Sequence, residues 1–132
     1  MFKIIAMVGL GGFIGATLRY GVAEGVQKIA HTDDFPYGIL AANLIGCLVI
    51  GMLGRLGDMH DLFTPQTRAL VFTGLLGSFT TFSTFSNDSL NLFQEGRPQA
   101  ALLNITVHVV AGLAMVWLGG WLGGLFGPGG GT

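Results

Sequence analysis

Apolar residues fall into four long blocks separated by short polar stretches, and block length more than internal periodicity sets the prediction. A bilayer core about 30 Å thick needs about 20 mostly apolar residues as a helix. Ile4 to Ala23 is apolar except for Arg19 near its far end, and it runs past any plausible signal cleavage point without an A-x-A site, so it reads as a retained span. Pro36 precedes a second block, Tyr37 to Gly54, which has no charge and one strongly polar side chain, Asn43. The turn before it, His31-Thr32-Asp33-Asp34, is a polar loop. Arg97-Pro98 opens the last block, Ala100 to Leu125, uncharged apart from a titratable His108, with Pro98 well placed at a helix start. The expected spans are residues 4–28, 37–56, 67–94 and 98–126 of a single four-span domain, 1–132, with a glycine-rich tail at 127–132.

The third block has a different character. No charge occurs from Ala69 to Asn87, yet six of the nine residues from Ser78 to Ser86 are Ser or Thr. Gly74 and Gly77 precede the run Phe79-Thr80-Thr81-Phe82-Ser83-Thr84-Phe85, so a helix here meets two weak positions and then residues of modest helix propensity. The pattern predicts a helix break near Gly77 to Thr81. Non-helical backbone at membrane depth is tolerated only where it is buried in protein or lines a wet cavity, so such a break marks function.

Composition narrows the classes. The chain is 51% apolar and only 10% charged, against about 25% charged residues in an ordinary soluble domain. A net charge of −1 leaves no basic field for a phosphate backbone, which excludes nucleic-acid binding. Cys47 is the single cysteine, so neither a disulfide within the chain nor a thiolate metal cluster is available. No HExxH or nucleophile elbow is present, and His31 and His60 sit in polar loops beside aspartates, so the residues give no enzymatic constellation.

Small residues recur four apart, as in Gly11 and Gly15, Gly21 and Gly25, Ala42 and Gly46, Gly119 and Gly123, and Gly120 and Gly124, the spacing of close-packed membrane helices. Four helices are few to enclose a polar track, so a dimer is expected to keep Asn43, Ser83 and Thr84 out of lipid. With four spans, Lys3, Arg55 and Arg68 fall on one side and Arg19, Lys28 and Arg97 on the other. Such a balance gives no orientation preference, which allows an antiparallel, dual-topology homodimer of inverted copies.

Phe79, Phe82 and Phe85 recur every three residues, within about one-third of a turn on a helix of about 3.6 residues per turn. Packing is the ordinary role of such a stripe. The hydroxyls of Ser83 and Thr84 interleave with the rings, however, and a phenyl ring has a positive edge. Ring edges beside hydroxyl and amide donors can hold a small anion weakly enough to release it, as conduction requires. His108 lies four residues after Asn104 on the same helix face, where it either joins a site or bonds across a helix contact.

The run from Gly77 through Thr80-Thr81-Phe82-Ser83-Thr84-Phe85-Ser86, with Ala42-Asn43-Leu44-Ile45-Gly46 and Gly12-x-x-Gly15-x-x-x-Arg19-Tyr20, strongly resembles the CrcB/Fluc family of fluoride channels. The resemblance implies an all-α membrane protein of four transmembrane helices with a broken third helix, assembled as an antiparallel homodimer with two fluoride pathways. It implies that Phe82 and Phe85 are pathway rings, Asn43 an amide on the pathway, and Ser83 and Thr84 part of a hydroxyl track. It also implies a structural sodium ion at the dimer centre, bound by the backbone carbonyls of Gly77 and Thr80, and Arg19 at a vestibule. The family usually has a second glycine where this chain has Ser78, and the fourth-helix contribution falls to Thr106 or His108. The expected function is passive export of fluoride across the plasma membrane. The alternative is a proton-coupled exporter similar to the small multidrug-resistance transporters, which needs an intramembrane carboxylate, whereas Glu24 and Asp88 lie towards span ends.

Overall fold

The computed structural model describes residues 1–127, so the predicted tail beyond Gly127 lies outside the described residues. All regular structure among them is helical: α1 (Phe2–Ala30), α2 (Tyr37–His60), α3 (Pro65–Arg68) continuing as a wider π-helical segment (Ala69–Leu76) and one α turn, α4 (Gly77–Phe79), then α5 (Phe82–Gln94) and α6 (Pro98–Leu125). Four stretches, Phe2–Ala30, Tyr37–His60, Pro65–Gln94 and Pro98–Leu125, are long and apolar enough to cross a membrane.

Local chemistry explains the ends. Thr64 accepts a hydrogen bond from the Thr67 N–H and Pro65 follows at the first helical position, a capped start for α3. Pro98 likewise stands at the first helical position of α6, there without a side-chain cap. His31 and Asp61 close α1 and α2 in the left-handed region, and Gly96, at φ +74°, makes the turn between α5 and α6 without steric cost. Gln27 ties the first loop together, its side-chain amide donating to the Phe35 carbonyl at 3.0 Å and its Oε1 accepting from the Gly38 N–H at 3.1 Å.

Glycine contacts set the arrangement. Gly11 and Gly15 of α1 lie against the main chain of the π-helical segment, where a Cβ would run into the carbonyls of Leu70 and Leu75. Gly119 of α6 lies against the Leu48 carbonyl of α2 in the same way. Gly21 and Gly25 share the spacing but face open space within this chain. The interior is correspondingly narrow: Ala42, Ala101, Leu76, Phe79 and Leu92 are buried, whereas Phe13 and Trp117 are each 73% exposed. An outer surface this apolar is matched to lipid, and the protein is a multi-pass membrane protein.

Candidate functional site

Between α4 and α5 the chain is extended, with Thr80 at φ −90°, ψ 155° and Thr81 at φ −148°, ψ 115°. A residue in an unbroken helix donates its N–H to the carbonyl four residues back. Thr80 still does so, to Leu76 at 3.1 Å. The Thr81 N–H, whose helical acceptor would be Gly77, instead meets Asn43 Oδ1 at 2.8 Å, and Asn43 Nδ2 donates to the Thr81 carbonyl at 3.2 Å. The Thr81 hydroxyl then caps α5 by accepting from the Thr84 N–H at 3.3 Å, with the hydroxyls of Ser83 and Thr84 at 3.3 and 3.0 Å. Buried backbone groups need partners. Here Asn43 and the Thr81 side chain supply them from outside the helix.

Arg19 reaches the same place from α1. Its Nε donates to the Ser78 carbonyl at 3.0 Å, placing a half-buried guanidinium on the C-terminal end of α4, where helix carbonyls lack partners and a cation is favourable. Ser78 fits because its hydroxyl lies over Gly12, which has no side chain to meet it. Across from Arg19, Gly46 of α2 admits the Thr80 methyl, which occupies the space a Cβ would need.

A cavity of ≈ 370 Å³ opens on this segment, walled among others by Asn43, Thr80, Thr81, Phe82, Phe85 and His108. Phe82 and Phe85 stand with ring centroids 5.5 Å apart and planes inclined at 56°. Phe82 is 79% exposed, so its ring projects from the chain. Phe85 is half-buried and leans on the imidazole of His108, with centroids 4.3 Å apart. Phe79 does not join this pair: the extended Thr80-Thr81 step separates it, and it is buried at 6% exposure. The three-residue periodicity assumed a continuous helix, which the backbone does not make.

Of the expected residues, Asn43, Gly77, Thr80, Phe82 and Phe85 border one cavity. Ser83 is exposed on the first turn of α5 and Thr84 is half-buried beside it, both tied to Thr81. Of the two fourth-helix candidates, His108 lines the cavity while Thr106 is exposed elsewhere on α6. Asn43 uses one amide hydrogen on Thr81, and an amide has two, so one remains for a ligand. The donors gathered here are hydroxyls, an amide and ring edges. Among the described residues no group of three or more His, Cys, Asp or Glu side chains could hold a metal. A hard cation would depend on main-chain oxygens, and the Gly77 carbonyl, relieved of the Thr81 N–H, is of that kind.

Sequence reasoning gave no role to Thr81 or Ser89, and it noted Asn104 only as sharing a helix face with His108. Thr81 was recoverable, since a threonine immediately before a helix is a favoured cap. Asn104, with 0% exposure, donates to Ser89 Oγ at 2.9 Å, a pairing between α5 and α6 that depends on how the two helices are turned.

Comparison with known proteins gives one consistent likeness. Residues 6–120 match the family described as CrcB-like protein, Camphor Resistance (CrcB). The chain is 41% identical over 123 residues to a protein of Parabacteroides distasonis named fluoride-specific ion channel FluC, covering 93% of this chain and 94% of that one. A protein of the same name from Methylobacillus flagellatus is 41% identical, covering 90% and 92%. Another from Shewanella frigidimarina is 43% identical, covering 87% and 91%.

Proposed function

The chain belongs to the CrcB family, and on that premise we propose that it is a fluoride-selective ion channel, not an enzyme, which lets fluoride leave the cell passively across the plasma membrane. The observation that carries this reading is the likeness to fluoride-specific channels over nearly the whole chain. The chemistry explains the need. Neutral HF crosses lipid, ionises in a more alkaline cytoplasm and leaves fluoride that cannot return unaided. A channel relieves that trap and so relieves fluoride toxicity. The proton-coupled exporter gains no support: the relatives are named channels, and Asp88 lies on α5 beyond the aromatic pair, towards the polar end of the span.

The working unit is an antiparallel homodimer of oppositely inserted copies. A strongly exposed Phe82 and an exposed Ser83 beside an open cavity support it, because a single chain leaves that polar track facing lipid. In this unit Phe82 and Phe85 present ring edges to the anion, the free amide hydrogen of Asn43 and the hydroxyls of Ser83 and Thr84 donate to it, and Arg19 contributes positive potential at the vestibule. Stations of this kind are favourable enough for entry and weak enough for exit.

A structural sodium ion at the dimer centre fits the extended segment. The carbonyls of Gly77 and Thr80 would hold it, and when bound it would supply a positive charge that compensates main-chain oxygens lacking amide partners. Arg19 already meets the Ser78 carbonyl between them, so the chain itself provides part of that compensation.

The test is fluoride current through purified protein in a voltage-clamped planar bilayer, since neutral HF carries no current. A fluoride current that persists without a proton gradient and is absent with chloride is expected. No current, or flux only when protons move in exchange, would overturn the reading.

A further inference from the structure

A short chain of hydrogen bonds joins Phe85 to His108 and dictates where each proton lies. Ser89 Oγ donates to the Phe85 carbonyl at 2.8 Å. A hydroxyl has one hydrogen, so the 2.9 Å contact between Ser89 Oγ and Asn104 must be donated by the Asn104 amide nitrogen. That sets the orientation of the amide and leaves its Oδ1 buried without a partner among the described residues. One turn on, His108 Nδ1 is 2.9 Å from the Asn104 carbonyl, which can only accept, so Nδ1 carries a proton. In the neutral ring Nε2 is then a bare lone pair, and it too is buried without a partner. Two unsatisfied acceptors thus stand on consecutive turns of one face of α6. A second proton on His108 turns one of them into a donor.

The imidazole also lies against Phe85, with centroids 4.3 Å apart and planes inclined at 37°. Charged, it becomes a cation on the face of that ring, an attraction that strengthens as water is excluded. It also places positive potential behind a ring that borders the cavity.

We propose that His108 is a positioning residue of the anion pathway, acting through the Phe85 ring, and that its protonation raises the pathway's hold on fluoride, so conduction increases as pH falls. This rests on the channel reading given above. The groups facing His108 are few. Asp88 is the only charged residue of α5, and it lies one turn beyond Phe85. Cys47 is the titratable group of α2 that borders the same cavity, whereas Arg55, Asp58 and His60 lie in the last turns of α2. α6 carries no charged residue besides a protonated His108. The histidine is therefore the only group on these three elements at that depth whose proton adds positive charge.

The experiment is fluoride current in planar bilayers across a pH series, with a parallel NMR titration of the His108 ring in the assembled protein, assigned against His108→Gln. Wild-type current should rise about tenfold between about pH 8 and about pH 6, and His108→Gln should be flat over that range. Linkage requires the converse, so replacing gluconate with fluoride should move the His108 titration to higher pH. The titration is read from wild-type protein, and if His108→Gln does not fold, His31→Gln and His60→Gln, both at exposed positions, give the assignment by elimination. A fluoride current with equal pH dependence in wild type and His108→Gln, or a His108 titration indifferent to fluoride, overturns the proposal. Absence of fluoride current at every pH overturns instead the channel reading on which it stands.

Discussion

Asn43 and Thr81, 38 residues apart, are joined by two hydrogen bonds that use both ends of one amide and both main-chain groups of one residue. The amide does for an extended residue what a neighbouring turn does for a helical one. A membrane-spanning segment can depart from helical geometry at Thr81 because its N–H and carbonyl are both satisfied there.

Asn43→Ala should therefore destabilise the protein as well as reduce current. It strands a donor and an acceptor, at about 1–3 kcal/mol for each buried unsatisfied group. Asn43→Asp retains an acceptor for the Thr81 N–H but sets a negative charge beside the cavity, where a low dielectric strengthens its repulsion of fluoride. It should assemble and fail to conduct at neutral pH, with Asn43→Ser intermediate. Thermal unfolding in detergent alongside bilayer currents checks all three, and a normal current through folded Asn43→Asp would remove Asn43 from the pathway.

The two rings are distinguished by burial. Phe82 is 79% exposed, so Phe82→Ile should change stability by less than about 1.5 kcal/mol while sharply lowering fluoride current. Phe85→Ile should lower current too, and with more loss of stability because it also strips the contact with His108. If both variants conduct normally, the rings serve packing alone.

Gly46 and Gly77 should behave oppositely. A Cβ on Gly46 would meet the Thr80 methyl, so Gly46→Ala should disturb the extended segment and cost about 1–3 kcal/mol by overpacking. A Cβ on Gly77 meets only the Phe72 carbonyl, at an ordinary 3.5 Å, so Gly77→Ala should leave the fold of the chain intact. If a sodium ion is held by the Gly77 and Thr80 carbonyls, exchanging sodium for a bulky organic cation should lower the melting temperature of the assembled protein. An unchanged melting temperature after exhaustive exchange would argue against the ion.

Orientation is testable through labelling. Six basic residues divide equally between the two sides of a four-span chain, so a tag on one terminus should be reachable from both sides of the membrane in comparable amounts. Adding two or three lysines to one side should bias insertion, and current should then require a second copy biased the other way. A single orientation, or full activity from one orientation alone, would exclude the antiparallel dimer.

The amino-acid sequence by itself determined four membrane-capable helices and their approximate ends, because span length, charge exclusion, Pro98 and the loop residues act locally along the chain. It also singled out the Ser- and Thr-rich third block, whose residues suit lipid poorly wherever the other helices lie. Only the tertiary structure decided which groups meet there: the Arg19 side chain on the Ser78 carbonyl, Asn43 on Thr81, Asn104 on Ser89 and His108 on Phe85. It also separated Gly11, Gly15 and Gly119, packed against neighbouring main chain, from Gly21 and Gly25, which share the spacing and meet nothing within the chain. Spacing along one helix defines a face but not what that face meets. That depends on how each helix is rotated and shifted against the next, a choice made by close backbone contacts between residues remote in sequence.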